Sequence, residues 1–554
     1  MNSLTIALGA IVLFWLGYQF YSRGFARVFD IDPRAQTPAN ALYDGVDYVP
    51  AKHWTILFGH HFASIAGAAP IIGPIIALSL WGWLPAVLWI VLGTIILGGI
   101  HDFGSLMISL RSGGSSIANV AKRVISCRAK VVFSIFIWLT LILVIAVFVR
   151  FCAQTFVVEK RIVIPTVGLI PLALLMGFML YDLKFNQIST TLLGLTLLAG
   201  LIILGNFLPL ELVKLTFRVQ EFTLNIGALE IWSVILLAYA FLASITPVQI
   251  LLQPRDYLCF FLLFGGIILG LGGLIVSRPQ MQLPAFTGWK TAQGNLWPML
   301  FVTIACGAIS GFHSLIASGT TSKQLSNEKD ARKIGYGAMI LEGLVALLAV
   351  LIVGGAMTNL ASLQRVLDKG GGPVAAFGQG FAQVTKPFLG NFGGLVAMTI
   401  LNAFILTTLD TATRIGRYLT QELLGIKNRY VATFIVVVVG GSLALSGKWD
   451  KIWPMFGSAN QLVAALALIV LTAWLLSKGK SIKYTLLPSL IMLATAVGAL
   501  VYQMIGFMKA QDWLLIAITA ALLGLAFYML LEVDIILVRS MKKKKEFRIK
   551  QGYV

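Results

Sequence analysis

Long apolar segments recur along the whole chain, separated by short polar stretches. An apolar run of about 20 residues is long enough for a helix to cross a bilayer. We predict about 15 such spans, at residues 4–21, 55–80, 84–110, 131–157, 162–181, 188–207, 229–251, 257–277, 297–317, 336–358, 390–412, 430–447, 456–477, 484–508 and 513–538. The pattern therefore predicts an all-α polytopic integral membrane protein.

Composition and charge agree with this pattern. Only 12% of the 554 residues are charged, which is about half the share of a soluble domain, and the mean hydropathy is +0.89. A net charge of +20 would suit a nucleic-acid partner, but the basic residues lie in short loops and a tail. That distribution is typical of membrane topology, so we expect a bilayer and no nucleic acid.

The basic loops also predict an orientation. Most of the 42 Lys and Arg residues lie in alternate connecting segments, at 22–53, 111–130, 182–187, 252–256, 318–335, 413–429, 478–483 and 539–554. Because positive loops stay in the cytoplasm, the N-terminus is predicted outside and the C-terminus inside. The basic tail at 539–550 is interpreted as a stop-transfer cluster, or as a contact with anionic lipid head groups.

The stretch 59–74, GHHFASIAGAAPIIGP, places histidines and helix-weakening residues inside one apolar span. Glycine and proline there predict a helix broken at mid-membrane, and broken helices usually border a substrate or ion site. The predicted substrate-binding residues in this stretch are Ser64, Gly67, Ala68, Pro70 and Gly73.

The seventh span carries a similar signal in Ser244, Thr246 and Pro247, which we also predict to bind substrate. The second and seventh spans lie five spans apart and run in opposite directions, which is the arithmetic of an inverted five-plus-five repeat. We predict an N-terminal extra helix and loop at 1–53 and a transport core at 54–425, followed by C-terminal helices and a basic tail at 426–554. Within the core, the repeats are placed at about 55–207 and 229–412. The alternative is that Pro and Gly are simply common in transmembrane helices.

Two neighbouring histidines, His60 and His61, lie just before the predicted break. Adjacent residues on a helix point about 100° apart, so the two side chains cannot face one cavity together. A zinc pair on a helix prefers i, i+4 spacing, so we expect no metal here. A proton relay is the favoured role because histidine titrates near physiological pH, and hydrogen bonding between helices is the structural alternative.

Further polar groups lie in the third and ninth spans. His101 and Asp102 stand together and are interpreted either as a proton-exchanging pair or as an anchor at the membrane face. The ninth span carries His313 followed by a hydroxyl-rich run that suits a proton or sodium path. Close packing through small residues is the alternative. The predicted coupling residues of this span are His313, Ser318, Thr320 and Thr321.

Charged residues inside predicted spans are functional candidates because their burial in lipid is costly. Asp410 is predicted to carry a proton if it faces a cavity, or to act structurally if it pairs with Arg414, four residues on. Glu342 and Arg150 are interpreted as lone intramembrane charges. The pair Asn460–Gln461 is interpreted as a hydrogen-bonding contact between helices.

Several long blocks resemble the carbon starvation protein A family: GHHFASIAGAAPIIGP, LLQPRDYL at 251–258, ACGAISGFHSLIASGTTSKQ at 305–324, GYGAMILEGLVALLA at 335–349, TTLDTATRIGRYLTQEL at 407–423 and WPMFGSANQLVAALAL at 453–468. The resemblance implies a leucine-transporter-like 5+5 inverted repeat with broken helices, in the amino acid–polyamine–organocation superfamily. It also implies the inner membrane of a prokaryote.

The function that the resemblance implies is secondary transport of pyruvate or short peptides during carbon starvation. We expect proton-coupled symport, with sodium coupling as the alternative, and no further cofactor. A membrane sensor that binds the solute without moving it is a second alternative. An enzyme is not expected, because the sequence shows no nucleophile–base or metal motif.

Overall fold

The computed structural model describes residues 1–45, 48–212, 215–219, 222–247, 250–369, 371–447 and 449–551, and of these residues 181–182, 215–219, 222–226, 253, 449–450 and 533–551 by backbone alone. The side chains of the basic tail at 539–550 therefore lie outside the described part, and their predicted contact with lipid stays a prediction.

The described chain is almost wholly helical. Its first half comprises α1 (Ser3–Leu16), α2 (Ser22–Ala26), α3 (Pro38–Ala41), α4 (Trp54–Ile65), α5 (Ala69–Trp81), α6 (Trp83–Gly93), α7 (Gly99–Leu110), α8 (Ile117–Val124), α9 (Cys127–Val158), α10 (Val163–Gly177), α11 (Gln187–Phe207), α12 (Ala228–Ile245) and α13 (Leu252–Ser277). Short π-helical turns continue α1 into α2 and α6 into α7, so each pair runs as one long helix.

The second half comprises α14 (Leu296–Thr303), α15 (Gly311–Gly319), α16 (Ala331–Ala356), α17 (Leu360–Lys369), α18 (Gly372–Leu389), α19 (Gly393–Leu424), α20 (Arg429–Leu445), α21 (Trp449–Ser477), α22 (Leu486–Lys509) and α23 (Trp513–Gln551). Two small antiparallel hairpins lie in loops: β1 (Leu215–Val219) with β2 (Phe222–Ile226), and β3 (Lys290–Thr291) with β4 (Gly294–Asn295).

Twelve helical segments of the described chain are long and apolar enough to cross a membrane, or thirteen if the bent pair α4–α5 counts as one span. The predicted all-α multi-pass architecture is thus confirmed. Three predicted spans are not among the twelve. The span predicted at 55–80 is the pair α4–α5, which is bent by 44°, and the one at 297–317 is split into α14 and α15. The span predicted at 430–447 is the shorter helix α20. The count of fifteen stays a prediction.

The first break lies where the sequence predicts it, at residues 66–68 between α4 and α5. Ala66 leaves the helical conformation with ψ 65°, and the Gly67 N–H turns back to the Ile65 carbonyl at 2.8 Å. Pro70 stands in the first turn of α5, where its missing N–H leaves no helical hydrogen bond unmade. A Cβ on Gly67 would lie 2.5 Å from Thr408 Oγ1, so a larger residue there would require the Thr408 hydroxyl to move.

The second break lies at residues 304–310, between α14 and α15, and not in the seventh span. Gly307 has φ +88°, a conformation that side chains with a Cβ rarely adopt. Neighbouring helices satisfy the opened backbone: Trp89 Nε1 donates to the Ile304 carbonyl at 3.1 Å, and the Asn460 side chain accepts from the Phe312 N–H at 3.0 Å. Asn460 thus joins helices, as the sequence interpretation has it.

The predicted break in the seventh span is wrong. α12 runs unbroken to Ile245, and Thr246 and Pro247 follow its end instead of interrupting it. Proline just beyond a helix end cannot continue the helix but leaves it intact, which explains the misleading signal. The guanidinium groups of Arg414 and Arg417 cap this end by donating to the Ala243, Ser244 and Thr246 carbonyls at 2.5–2.8 Å.

The two broken helices are brought together by their neighbours. α16 packs against α4, α5 and α7, while α15 packs against α4, α7 and α21. The long helices α9 and α19 pack against each other on the other side, with α12 and α20 beside them. A Cβ on Gly307 would lie 3.4 Å from the Pro70 Cβ, so the second break touches the start of α5.

Candidate transport site

Two carboxylates hold His313 from opposite sides in the fully buried interior. Its Nδ1 lies 2.9 Å from Asp102 Oδ2, and its Nε2 lies 3.2 Å from Glu342 Oε2 without hydrogen-bond alignment. His101 Nδ1 bonds the other Asp102 oxygen at 2.8 Å. We call His101, Asp102, His313 and Glu342 the histidine–carboxylate cluster; all four are buried. With His313 protonated the cluster is one negative charge in excess, so one further proton neutralises it.

The histidine–carboxylate cluster is tied directly to the second break. Glu342 Oε1 accepts the Gly307 N–H at 3.0 Å, and Gly307 is the residue whose backbone turns the break. Thr94 Oγ1 donates to the Gly307 carbonyl at 2.9 Å from the other side. A change of charge on Glu342 therefore acts on the backbone of the break itself, because a charged acceptor binds an N–H more strongly than a neutral one.

A second buried cluster lies where α12, α13 and α19 meet. The Arg255 guanidinium pairs with Asp410, the Tyr239 hydroxyl donates to Asp410 Oδ2 at 2.7 Å, and Asp256 Oδ1 lies 3.3 Å from Arg255. We call Tyr239, Arg255, Asp256 and Asp410 the arginine–carboxylate cluster. Its two carboxylates and one guanidinium also leave one buried negative charge in excess, and charges buried in this way require pairing.

His60 and His61 face different partners, as their predicted separation of about 100° requires. His60 Nδ1 lies 3.6 Å from Asp256 Oδ2, so His60 lies beside the arginine–carboxylate cluster without a hydrogen bond to it. His61 Nδ1 bonds the Thr321 hydroxyl at 2.8 Å, on the segment that follows α15. Helix α4 therefore contacts both α13 and the end of α15 through consecutive histidines.

The hydroxyl-rich end of the ninth span is engaged in hydrogen bonds. Ser318 Oγ donates to the Ser314 carbonyl at 2.6 Å and accepts the Ile117 N–H at 3.1 Å, which holds α15 to α8. Thr320 Oγ1 donates to the Ile316 carbonyl at 3.0 Å. Of the three predicted hydroxyl residues here, Thr321 is the one bonded to a histidine. The predicted ion path along them stays a prediction.

The predicted substrate residues fall into two groups. Ser64 donates to the His60 carbonyl at 2.8 Å one turn before the first break, and a Cβ on Gly73 would lie 2.3 Å from the Thr303 carbonyl at the second break. Gly67, Ala68 and Pro70 form the first break and the start of α5. The structure thus gathers these five residues around the breaks.

Ser244, Thr246 and Pro247 form the other group, at the end of α12. Ser244 is buried, but its carbonyl and that of Thr246 accept from arginines of α19, while Pro247 is exposed. They belong to a capped helix end and not to a mid-membrane opening.

Three predicted charge assignments need correction. Asp410 pairs with Arg255 of another helix and not with Arg414, whose guanidinium serves the α12 carbonyls. Arg150 is not a lone charge, since it lies 3.6 Å from Glu230. Glu342 is not lone either, because His313 and the Gly307 N–H contact it.

Cys306, His313 and Glu342 bring one ligand atom each within 4.8 Å of one another. Zinc accepts this mixture of donors, but a structural zinc site needs four protein ligands and a catalytic one three with an open position. Here Cys306 Sγ donates to Ser310 Oγ at 3.3 Å, and Asp102 holds the imidazole. The contacts are accounted for by hydrogen bonds and charge pairing, and the predicted absence of a metal stays a prediction.

Sequence reasoning missed the pairing of Arg255 with Asp410 and the part played by Tyr239. The two residues of the pair are 155 positions apart, and nothing local to either one points to the other. A signal was present in Arg255 and Asp256 themselves, two opposite charges at the start of an otherwise apolar span.

Comparison with known proteins identifies the family of the chain. The family model for carbon starvation protein CstA matches residues 2–369 and 356–499. The chain belongs to the CstA family. Its resemblance to that family, expected from the sequence blocks, is confirmed.

Relatives within the CstA family are transporters. The chain is 31% identical to the pyruvate/proton symporter BtsT of Escherichia coli (strain K12), over 90% of this chain and 81% of the relative. It is 32% identical to the peptide transporter CstA of Helicobacter pylori (strain J99 / ATCC 700824), over 89% and 81%. These relatives support a multi-pass membrane protein with a transport role.

The fold has a counterpart among solved structures. A manganese transporter of Eremococcus coleocola, in complex with an aromatic bis-isothiourea substituted compound, superposes with a TM-score of 0.50 at 14% identity. The match covers 89% of this chain and 98% of that one. The predicted leucine-transporter-like fold is thereby confirmed. At this identity the likeness concerns the fold alone.

Proposed function

We propose that this CstA-family protein imports a small carboxylate-bearing nutrient, pyruvate or a short peptide, by proton-coupled symport. The names of its relatives give the two substrate classes. The observation that carries the proposal is the position of His313 between two carboxylates, one of which also accepts the backbone N–H that turns the second break. A buried group that changes charge there acts on the helix that must move.

The coupling proton binds to the histidine–carboxylate cluster. In a low-dielectric interior an uncompensated negative charge is unfavourable, so with His313 protonated, adding one proton to Asp102 or Glu342 stabilises the occluded arrangement. When Glu342 holds that proton, losing it restores the negative charge on Glu342 and strengthens its hydrogen bond to the Gly307 N–H. Proton binding and the shape of the break are therefore linked.

The carboxylate of the substrate binds at the first break. The N-terminal N–H groups of a helix carry a partial positive charge and lack partners within the helix. α5 starts at this break, and Pro70 in its first turn is next to Gly307 of the second break. An anion held there is adjacent to both broken helices without a dedicated lysine. Ser64, Gly67, Ala68 and Gly73 surround this position.

Movement of α4 opens the site toward the face at which α4 begins. Its two contacts to the rest of the molecule through histidine, His60 to Asp256 and His61 to Thr321, must both separate. The arginine–carboxylate cluster remains with α12, α13 and α19 and keeps them together. In this scheme the contact of His60 with the arginine–carboxylate cluster forms and breaks as α4 moves. Asp410 is structural and carries no coupling proton.

Uptake by purified protein in liposomes tests the proposal. Radiolabelled pyruvate and dialanine are each offered with an inward proton gradient or an inward sodium gradient. We expect accumulation of one of them with the proton gradient alone. His313→Gln is expected to weaken the coupling by roughly 5- to 150-fold, the usual range for linked binding sites. Glu342→Gln, which resembles the protonated residue, should still exchange substrate but not accumulate it.

His53→Asn is the matched control, because His53 is exposed and caps α4 through its side chain, a role that asparagine fills well. It should accumulate substrate normally. Accumulation driven by the sodium gradient would show that sodium, and not the proton, is the coupling ion. Saturable binding without accumulation under either gradient would favour a sensor and refute transport.

A further inference from the structure

An open, strongly basic pocket of about 450 Å3 lies beside the end of the first membrane-spanning helix. Its charged lining consists of Arg23, Arg27, Arg332 and Asp30. These residues come from two predicted cytoplasmic segments, 22–53 and 318–335. Neither cluster of the transport site includes any of them.

The helix ending at Phe29 fixes two of the arginines by its own packing. Ser22, Phe25 and Phe29 are buried against the body of the protein. Arg23 and Arg27, four residues apart, therefore share the opposite, exposed face. Neither guanidinium has an ion-pair or hydrogen-bond partner in the part of the chain that the structure describes.

The third arginine is held in place from α16. The Arg332 guanidinium lies 4.6 Å from the centre of the Tyr18 ring and donates to the Tyr18 carbonyl and to Ser22 Oγ at 3.1 and 3.0 Å. Three guanidinium groups from two helices thus surround one pocket, and planar guanidinium forks suit phosphate oxygens.

The acidic member of the pocket does not neutralise these arginines. Lys480 Nζ lies 2.7 Å from Asp30 Oδ2. This hydrogen bond from Lys480 lowers the pKa of Asp30 below its ordinary value. Asp30 therefore stays ionised and paired with Lys480 at neutral pH, and the three arginines keep their positive charge for another partner.

The side chains that precede the pocket indicate that it lies at the depth of lipid head groups. Large apolar side chains of the same helix are exposed directly before it: Leu8, Val12, Trp15, Leu16 and Phe20. In a chain that crosses a bilayer, exposed apolar side chains face acyl chains, and Arg23 follows Phe20 within one turn. Basic pockets at this boundary on the cytoplasmic side bind acidic head groups.

We propose that this pocket binds the phosphate group of an anionic phospholipid. The lipid's acyl chains lie along the exposed apolar face of the first helix, and its phosphate contacts Arg23, Arg27 and Arg332. The bound lipid thereby anchors the first helix to α16, the helix that carries Glu342.

Equilibrium binding of radiolabelled phosphatidylglycerol to the full-length protein in mixed micelles tests the proposal. We expect saturable binding that phosphatidylcholine of the same chain length does not displace. The double variant Arg23→Gln/Arg27→Gln should bind roughly 30-fold more weakly, given the energy contributed by each basic residue near an acidic surface. Arg23→Lys/Arg27→Lys, which keeps both charges, should retain most of the binding.

The matched control is Lys427→Gln/Arg429→Gln, which removes two exposed positive charges from another predicted cytoplasmic loop. Equal losses in the control and the test variant would overturn the proposal, as would equal binding of phosphatidylcholine. Inorganic phosphate that displaces the lipid at matched concentration would show a site for free anions instead. The single variants, each expected to lose roughly fivefold, serve if the double variant does not fold.

Discussion

At the scale of single residues, the buried charges form two sets, and each set has two carboxylates around one basic side chain. Asp102 and Glu342 come from different helices and meet on His313. Asp256 and Asp410 meet on Arg255. The difference between the sets is the central basic group: an imidazole exists in both a charged and a neutral form in proteins, whereas a guanidinium stays charged. The first set therefore suits proton exchange and the second a fixed connection.

The arginine–carboxylate cluster predicts a large loss of stability when its cation, Arg255, is replaced. Arg255→Met leaves two buried carboxylates without the guanidinium that pairs with them, and breaking a buried ion pair from one side costs about 3–5 kcal/mol. Thermal unfolding in detergent measures this loss. Lys130→Met, which removes the partially exposed pair with Glu422, should change stability by only about 0–1 kcal/mol. Equal effects of the two changes would contradict a structural role for Arg255.

At the scale of elements, the decisive feature is the second break, which interrupts a helix without a proline. The first break was predictable because Gly67, Pro70 and Pro74 stand inside one apolar span. The second break depends on Gly307 at φ +88° and on side chains from α6, α16 and α21, which are distant in sequence. Proline at 247 gave a stronger local signal, but it stands beyond a helix end. Local propensity therefore identified one break and misplaced the other.

Gly307 is the position at which the second break is most sensitive to change. Gly307→Ala should reduce transport strongly, because an added Cβ would lie 2.6 Å from Ala346 and the φ of +88° is strained for alanine. The left-handed conformation alone costs about 1–2 kcal/mol. Initial rates of proton-driven uptake in liposomes measure the effect.

Gly319→Ala serves as the control for Gly307→Ala, since a Cβ there meets nothing within 4 Å. Its uptake should match that of the unaltered protein. If Gly307→Ala transports at the same rate as Gly319→Ala, the geometry of the second break is not required for the cycle.

At the scale of the whole molecule, the two ends of the chain are predicted on opposite sides of the membrane. The Met1 carbonyl accepts the Met281 N–H at 2.9 Å, and the Ser3 N–H donates to the Pro279 carbonyl at 3.1 Å. The N-terminus is therefore held beside the loop that follows α13. The alternating basic loops predict that this side faces the outside of the cell.

Reporter fusions test this orientation in living cells. Green fluorescent protein fused after Val554 should fluoresce, because it folds in the cytoplasm, and alkaline phosphatase at the same position should be inactive. Alkaline phosphatase inserted after Gly447, at the predicted outer end of the span 430–447, should be active. The opposite pattern at both positions would invert the predicted topology.

The overall architecture was more accessible to sequence reasoning than the site was. Apolar runs define spans and the blocks define the family, since both are properties of contiguous residues. The partners of His61, Asp410 and Glu342 are on other helices. Their identity depends on how helices pack, which neither spacing nor composition contains. The divergence of His60 from His61 was predictable, because it follows from helical geometry alone.

That divergence has a consequence for how the molecule switches. One short helix, α4, carries both contacts, that of His60 with Asp256 and that of His61 with Thr321. We therefore expect a movement of α4 to separate both contacts in one step. If α4 moves as one body in the proposed cycle, half-open states are scarce and few protons leak without substrate.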